Sequence, residues 1–275
     1  MTIQPTEIKP DFSAIKTKQN AAWGSGNYAV IGTTLQIVGE TLAESMDCRP
    51  GSRVLDVAAG NGNATLAFAR RWHQVTSTDY VASLLDNSRA RAAAEGHQID
   101  YQIADAEDLP FDDDAFDAVV STFGVMFTPN QPQAAAELLR VCRSGGKIGM
   151  ANWTPQSFVG RLFRIIGAHV SPPAGVKSPA LWGDDAWLGD TFGPHAADIQ
   201  VTQRSFAFRY RSPAHFVEVF RALYGPVHKA FLALDAAGQA ALEADMLALI
   251  DEFNIATDGT MNAPGAYAEV IVTKA

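Results

Sequence analysis

The chain has 275 residues, of which 47% are hydrophobic and 19% charged, enough apolar material for the core of one large domain. Its formal net charge of −9 argues against a general nucleic-acid binder, which needs a basic surface. Cys48 and Cys142 lie too far apart to predict a disulfide framework or a zinc site, and no apolar run predicts a signal peptide or a membrane span, so we expect a cytoplasmic protein.

The first 48 residues are predicted to form helices and a flap. Ile15–Ala22 favours a helix, and Ile31–Met46 has apolar residues at helical spacing and should pack on a sheet. Between them lies a turn that runs from Trp23 to Tyr28. Its two aromatic side chains either pack on the core or cover a ligand, and the sequence leaves both interpretations open.

A short apolar strand, a glycine turn and a helix start follow between Val54 and Thr65. Gly60 and Gly62 lack a Cβ, so the backbone can turn sharply and a ligand can approach it closely. The free N–H groups at the helix start favour an anionic group. The pattern is typical of a nucleotide-binding βαβ unit, although the same strand and turn also occur without a ligand. Thr65 stands where a dinucleotide site has its third glycine, which argues against NAD and FAD.

Two further strands are predicted to end in acidic residues. His73–Thr78 is a strand followed by Asp79, which can accept hydrogen bonds from both hydroxyls of a ribose or can be a solvated loop residue. Leu84–Glu95 is predicted to be a helix, and Ile99–Ala104 is a strand followed by Asp105.

Phe116–Ser121 is strongly apolar and is predicted to be the buried fourth strand. It leads into Thr122–Phe127, which should edge the ligand site because parallel sheets bind ligands at the carboxyl ends of their strands. The alternative is that its Phe and Met side chains pack under the next helix. That helix is predicted over Pro132–Arg143, and the fifth strand over Lys147–Trp153.

Beyond Trp153 the pattern becomes largely helical. We predict two helices within Thr154–Phe192, a strand over Ile199–Tyr210, helices over Pro213–Tyr224 and Ala236–Phe253, and a last strand over Tyr267–Thr273. We expect one domain over residues 1–275, comprising the N-terminal helices and flap 1–48, a ligand-binding core 49–153, cap helices with a sheet strand 154–262, and the last strand 263–275.

The stretch from Val54 to Thr65 resembles motif I of the class I S-adenosylmethionine-dependent methyltransferases. The wider chain looks most like their small-molecule branch, the ubiquinone/menaquinone-biosynthesis-like methyltransferases, and the resemblance covers Val54 to about Trp153 well. It implies an α/β fold with a Rossmann-like, doubly wound, seven-stranded, mostly parallel sheet of order 3-2-1-4-5-7-6 and a helical cap. It also implies S-adenosyl-L-methionine as cofactor and S-adenosyl-L-homocysteine as product.

The resemblance further implies roles for single residues. Asp56 would orient the methionine amino end, the backbone around Ala58 to Gly62 would cradle the methionine, Asp79 would bind the ribose, and Asp105 with Ala106 would bind the adenine. The candidate cofactor-binding residues are Trp23, Tyr28, Asp56, Ala58, Ala59, Gly60, Asn61, Gly62, Asp79, Tyr80, Asp105, Ala106, Glu107, Ser121 and Phe123. The candidate substrate-pocket residues are Met126, Phe127, Trp153, Trp182 and Tyr210.

Methyl transfer from a sulfonium is an in-line displacement that mainly requires alignment of the reactants and exclusion of water. No nucleophilic residue or metal is obligatory, and we name no catalytic residue. The histidines show no metal-ligand spacing, so we predict no metal site. They are His73, His97, His169, His195, His215 and His228.

The residues after the fourth strand narrow the class of acceptor. Ser121–Gly124 stands where methyltransferases of DNA amines carry Asn/Asp-Pro-Pro-aromatic, and neither cysteine follows a proline as in cytosine-C5 enzymes. The Trp, Phe and Met content beyond Trp153 favours a small, apolar or aromatic acceptor, although core packing could account for the same residues. The missing motifs and the acidic net charge argue against a nucleic-acid acceptor, and we expect no membrane partner. A nucleotide-dependent oxidoreductase and a non-catalytic S-adenosylmethionine-binding protein remain alternatives, and oligomeric state stays open.

Overall fold

The centre of the protein is a seven-stranded sheet with the order β3-β2-β1-β4-β5-β7-β6. The computed structural model describes residues 10–275, so the beginning of the predicted segment 1–48 lies outside the described residues. The strands are β1 Arg53–Val57, β2 Gln74–Asp79, β3 Asp100–Ile103, β4 Phe116–Thr122, β5 Cys142–Trp153, β6 Ala196–Tyr210 and β7 Met261–Lys274.

Strands β1 to β5 pair in parallel, and β7 pairs antiparallel with both β5 and β6. The predicted Rossmann-like fold and its strand order are therefore confirmed. Strand β1 has β2 on one side and β4 on the other. From β1 the chain adds β2 and β3 on one side of the sheet and then crosses back to add β4 and β5 on the other side. At this switch point a crevice opens beyond the carboxyl ends of the strands, where α/β sheets bind ligands.

Helices cover both faces of the sheet. They are α1 Phe12–Trp23, α2 Tyr28–Gly32, α3 Gln36–Met46, α4 Asn63–Ala69, α5 Ala82–Ala94, α6 Gln131–Val141, α7 Phe158–His169, α8 Asp185–Phe192, α9 Pro213–Leu223, α10 Gly225–Ala233 and α11 Ala236–Phe253. Every residue of α4 is buried. Helix α3 can approach α4 closely because residue 39 is a glycine, and a Cβ there would lie only 2.8 Å from the backbone of Asn63. The packing of α3 on α4 thereby holds the start of α4 behind the glycine turn.

Several predicted boundaries are wrong, and tertiary pairing explains the differences in the strands. Strand β7 begins at Met261 rather than Tyr267, because it pairs with β6 as far as Tyr210. Strand β5 begins at Cys142, inside the predicted helix, because Cys142 pairs with Phe116 across an irregularity in the register.

Two differences concern helices. The single helix predicted over Ile31–Met46 is divided into α2, a 3₁₀ turn at Thr33–Leu35, and α3. Helix α10, which begins at Gly225, follows α9 directly and was not predicted.

A buried carboxylate lies between β6, β7 and α3. Glu269 is 2% exposed, and its Oε1 accepts a hydrogen bond of 2.9 Å from Nη2 of Arg204. Its Oε2 has no partner among residues 10–275. Arg204 also donates to Oγ of Ser45, at 3.1 Å. The guanidinium thus neutralises Glu269 and joins α3 to the edge of the sheet.

We expect Arg204→Met to lower the free energy of unfolding by about 1–3 kcal/mol, because it leaves the Glu269 carboxylate buried without a partner. Adding Glu269→Gln to this variant removes the unpaired charge and should restore part of the loss. Urea denaturation of both variants checks the expectation. Equal stability of Arg204→Met and the wild type would contradict it.

Candidate functional site

A cavity lies where the carboxyl ends of β1 to β4 meet beneath α1. The empty space in and at the mouth of this cavity is about 860 Å³ and includes space that is open to solvent. Its lining consists of Lys16, Gln19, Trp23, Tyr28, Leu35, Ala58, Ala59, Gly60, Asn61, Asn63, Asp79, Tyr80, Leu84, Ala104, Asp105, Ala106, Thr122, Phe123, Gly124, Phe127, Thr128 and Pro129. None of the six histidines is among them.

The exits of β1 and β4 form the floor of the cavity, and both contain strained backbone. Ala58 has a φ of 51° and Phe123 a φ of 54°, in the left-handed region that side chains other than glycine rarely adopt. A Cβ on Gly124 would overlap the carbonyl oxygen of Ala58, so the two exits are in direct contact. The N–H of Phe123 donates to the carbonyl of Ala151 at 2.8 Å, which holds the strained residue in place. Such strain clusters at functional sites.

The two glycines of the turn have different roles. Gly60 lines the cavity with a φ of 57°, and a Cβ there would make only ordinary contact, at 3.6 Å, with the Tyr28 ring. Gly62 does not line the cavity. It has a φ of 84°, and its Cβ would lie 2.8 Å from Cβ of Ser88 on α5. Gly60 leaves space for a ligand, whereas Gly62 lets α5 pack against the turn.

Asp56 lies behind the turn and is fully buried. Its Oδ2 accepts the backbone N–H of Thr65 at 2.7 Å and the Thr65 hydroxyl at 2.6 Å. Its Oδ1 has no partner among the described residues. Burial raises the pKa of this carboxyl to about 7, although the bonds from Thr65 oppose the rise. The free oxygen is an acceptor that a nearby cation or a water molecule can satisfy.

Asp79 ends β2 and lines the cavity while only 4% exposed. Its Oδ2 accepts the N–H of Gly60 at 2.9 Å, and its Oδ1 accepts the N–H of Val81 at 2.8 Å. Burial raises its pKa to about 6, and these backbone bonds oppose the rise. Since a carboxylate offers about four acceptor positions, Asp79 can still accept two further donors from the cavity.

Asp105 follows β3 and is bound to a lysine that the sequence analysis did not identify. Its Oδ2 lies 2.5 Å from Nζ of Lys16, and its Oδ1 accepts the N–H of Glu107 at 2.9 Å. The same Nζ lies 3.0 Å from Oε2 of Glu107. Lys16 precedes Asp105 by 89 residues, so no local pattern could have indicated the contact.

Three aromatic side chains of the lining, Trp23, Tyr28 and Phe127, form a cluster with Tyr224, which lies outside the lining. The Trp23 ring packs edge-on against Tyr28, Phe127 and Tyr224, with centroid distances of 5.5, 4.9 and 5.5 Å. We call these four residues the aromatic roof. Burial and the charge of Asp79 raise the pKa of Tyr28 to about 12, so its hydroxyl stays protonated near neutral pH.

Some candidate residues lie outside the lining and support it. Ser121 donates to the carbonyl of Val57 at 2.7 Å and accepts the N–H of Val125 at 3.0 Å, which ties the exits of β1 and β4 together. Trp153 stacks on Phe123, with centroids 4.0 Å apart. The candidates outside the lining are Asp56, Gly62, Glu107, Ser121, Met126, Trp153, Trp182 and Tyr210.

Of the candidate substrate-pocket residues, Phe127 lines the cavity. Met126 and Trp182 are fully buried, and the ring of Tyr210 packs on that of Phe216 in α9, with centroids 5.1 Å apart. Lining residues that were not among the candidate site residues are Lys16, Gln19, Leu35, Asn63, Leu84, Ala104, Thr122, Gly124, Thr128 and Pro129. Thr122 and Gly124 fall within the segment already expected to edge the site, which was the available signal for them.

Residues 10–275 contain neither a cluster of potential metal ligands nor a helix that could cross a membrane. No three His, Cys, Asp or Glu side chains in this range are grouped so as to hold a metal ion. None of the helices in this range has the length and apolar character required to span a bilayer.

The profile of a family described as a methyltransferase domain matches residues 55–150, the segment that runs from β1 into β5. An uncharacterized protein of Mycobacterium tuberculosis is 38% identical over 250 residues, which cover 89% of this chain and 90% of that protein. A demethylmenaquinone methyltransferase of Deinococcus radiodurans is 35% identical over 165 residues, which cover 58% of this chain and 68% of that enzyme.

Solved structures share the fold. The YcgJ protein of Bacillus subtilis has a TM-score of 0.57 at 18% identity, with 85% of this chain and 96% of that chain covered. A phosphoethanolamine N-methyltransferase of Haemonchus contortus, solved with S-adenosylhomocysteine, has a TM-score of 0.53 at 17% identity, with 86% of this chain and 52% of that chain covered. At these identities the likeness shows the fold alone. These matches lend no support to the oxidoreductase or the non-catalytic alternative.

Proposed function

The chain belongs to the class I S-adenosylmethionine-dependent methyltransferases, of the ubiquinone/menaquinone-biosynthesis-like kind, and on that premise we propose that it methylates a small, apolar or aromatic acceptor under the aromatic roof. One observation carries the proposal, namely the division of the cavity lining by chemistry. Its charged side chains, Lys16, Asp79 and Asp105, lie at or against the exits of β2 and β3. Four of its five aromatic side chains come from the N-terminal helices and the exit of β4, namely Trp23, Tyr28, Phe123 and Phe127, whereas Tyr80 follows β2. A mainly apolar subsite favours an apolar ligand.

S-adenosylmethionine is the cofactor of this family, and when bound it supplies a methyl group activated by a positively charged sulfur. The residues present fit it. The two free acceptor positions of Asp79 suit the two ribose hydroxyls, and Asp105 with the neighbouring N–H of Ala106 suits the adenine edge. The backbone from Ala58 to Gly60 lies open to the cavity and suits the methionine. The unpartnered Oδ1 of Asp56 suits its ammonium group through a bridging water.

The contribution of the chain to methyl transfer would be alignment and exclusion of water. Rigid positioning of two reactants can lower a barrier by about 7–11 kcal/mol in favourable systems. The contact between Ala58 and Gly124 and the stacking of Trp153 on Phe123 make the floor rigid. Trp23 and Phe127 close the cavity from above. Since its raised pKa favours the protonated form near neutral pH, Tyr28 is suited to donate a hydrogen bond rather than to act as a base.

A radiolabelled methyl-transfer screen tests the proposal. The acceptors are a 1,4-naphthohydroquinone, catechol, aniline and an aromatic thiol, compared with ethanolamine phosphate and glycine as polar acceptors. The naphthohydroquinone is included because relatives are named as demethylmenaquinone methyltransferases. We expect label in one or more of the aromatic compounds. Label confined to the polar acceptors would contradict the proposed acceptor class.

Phe127→Ala gives a matched test of the roof. Loss of this ring should reduce kcat/KM for the aromatic acceptor about 10-fold or more, because one aromatic contact is worth about 0.5–1.5 kcal/mol beyond the apolar area that it buries. The affinity for S-adenosylhomocysteine should change little, since the acidic side chains that suit the nucleoside are untouched. Calorimetry and initial rates separate the two effects. Equal losses in cofactor affinity and in acceptor kcat/KM would contradict this division of the cavity.

Cofactor affinity should rise with pH. In the free enzyme burial raises the pKa of Asp56 to about 7 and that of Asp79 to about 6, which favours their protonated forms. Donors from the ammonium and the ribose favour the ionised forms, so binding should release protons. The Kd should therefore fall as the pH increases from about 5 to about 8, and then level off. Calorimetry in buffers of different ionisation enthalpy measures the protons released. A Kd independent of pH would contradict the assignment.

A further inference from the structure

Helix α1 is joined to the cavity by polar side chains as well as by the ring of Trp23. Ile15 is its one buried residue. Besides Lys16, Gln19 donates to the carbonyl of Phe127 at 3.0 Å, and Asn20 donates to the carbonyl of Tyr80 at 2.7 Å. Residues 16, 19 and 20 share one face of the helix because they are three and four positions apart. That face therefore meets the exits of β2 and β3, which form the proposed nucleoside end, and the exit of β4.

The lysine contact is the one charged link among these. Lys16 Nζ lies 2.5 Å from Asp105 and 3.0 Å from Glu107, and its side chain is 26% exposed. The side chain of Glu107 is 4% exposed. Its other oxygen accepts the N–H of Asn130 at the start of α6, at 2.7 Å. If α1 moved away, Glu107 would lose the one cation among its described contacts, and separating a charge pair that is largely buried is costly.

We propose that Lys16 is a positioning residue, which fastens α1 over the nucleoside end of the cofactor and thereby sets how fast cofactor and product leave. The inference rests on the proposed function, in which Asp105 receives the adenine amino group. Asp105 can serve both partners, because a carboxylate has acceptor positions for an ammonium and an amine together. Lys16 lines the same cavity, so its contacts with Asp105 and Glu107 hold α1 against the proposed nucleoside end.

The test compares Lys16→Met with Lys18→Met, since Lys18 is an exposed lysine on the same helix. The measured quantity is the dissociation rate of S-adenosylhomocysteine in stopped-flow fluorescence, with an excess of unlabelled S-adenosylmethionine as competitor. We expect Lys16→Met to release the product about 5- to 50-fold faster, as loss of a partly exposed charged hydrogen bond predicts. Lys18→Met should behave as the wild type does.

Salt and a conservative variant separate this role from general destabilisation. Raising the salt from about 50 to about 500 mM should speed release from the wild type but hardly from Lys16→Met, because salt screens a part-exposed ion pair. Lys16→Arg should restore slow release. Hydrogen exchange of residues 12–23 in the complex should be faster in Lys16→Met alone. All three results would support the proposal.

The opposite results would overturn it. Equal dissociation rates and equal salt dependence in the wild type and Lys16→Met would show that Lys16 does not retain the product. Equal acceleration in both methionine variants would show that any loss of charge on α1 suffices. Because the assay contains no acceptor, these failures leave the methyltransferase assignment intact. Failure of the wild type to bind S-adenosylhomocysteine would instead refute the proposed cofactor site.

Discussion

Replacement of Asp79 by Asn is expected to weaken binding of S-adenosylmethionine about 100- to 1000-fold. Hydrogen bonds to a charged acceptor are worth about 1.5–3 kcal/mol each, and the variant loses the charge that we propose faces both ribose hydroxyls. In the wild type the two carboxylate oxygens accept the N–H groups of Gly60 and Val81. The amide nitrogen of Asn cannot accept a hydrogen bond, so one of these N–H groups would face another donor. Isothermal titration calorimetry measures the loss.

The control is Asp86→Asn, because Asp86 lies on α5 with its side chain 73% exposed. Its cofactor affinity should equal that of the wild type. The more drastic Asp79→Ala should also bind weakly, and we expect it to fold. However, it leaves the N–H groups of Gly60 and Val81 without an acceptor, so its free energy of unfolding should fall by about 1–3 kcal/mol. Undiminished affinity in Asp79→Asn would remove Asp79 from the cofactor site.

Gly62→Ala is expected to lower the free energy of unfolding by about 2–5 kcal/mol. A left-handed φ costs an L-residue about 1–2 kcal/mol, and overpacking costs about 1–3 kcal/mol. Both conditions hold at Gly62, where φ is 84° and the added Cβ would lie 2.8 Å from Cβ of Ser88. Urea denaturation measures the effect. Adding Ser88→Gly removes the overlap, so a double-mutant cycle should show a favourable coupling between the two sites.

Gly60→Ala is the matched comparison. Its added Cβ would lie 3.6 Å from the Tyr28 ring, so we expect the cost to stability to be about 1–2 kcal/mol, from the left-handed φ alone. The methyl group would project into the cavity and weaken cofactor binding. Destabilisation mainly in Gly60→Ala, with weakened binding mainly in Gly62→Ala, would contradict the roles assigned to the two glycines.

The sequence could predict the parts of the site that follow directly from strands. A buried apolar strand has a carboxyl end, and parallel strands bring those ends to one edge of the sheet. Asp79 and Asp105 could be located in this way, and the structure places both in the lining. The strand order was supplied by the family resemblance, since periodicity alone does not determine which strands are neighbours.

Contacts between distant segments could not be predicted. Lys16 reaches Asp105 only because α1 packs across the strand exits, and nothing near Lys16 in the sequence indicates an acidic partner. The large aromatic residues beyond β4 could not be assigned from the sequence to a pocket or to the core. Trp153 and Trp182 have side chains that suit either a pocket lining or a core, and the structure buries both. Composition cannot distinguish these uses, because both require apolar surface.

The central claim is that the crevice beyond β1, β2 and β3 binds the methyl donor through the turn at Gly60 and the carboxylates of Asp79 and Asp105. A crystal structure of the protein with S-adenosylhomocysteine tests it most directly. We expect the ribose hydroxyls within hydrogen-bonding distance of Asp79, the adenine beside Asp105, and the homocysteine along the backbone at Gly60. Density for the nucleoside elsewhere on the protein, with these three residues free of it, would contradict the account.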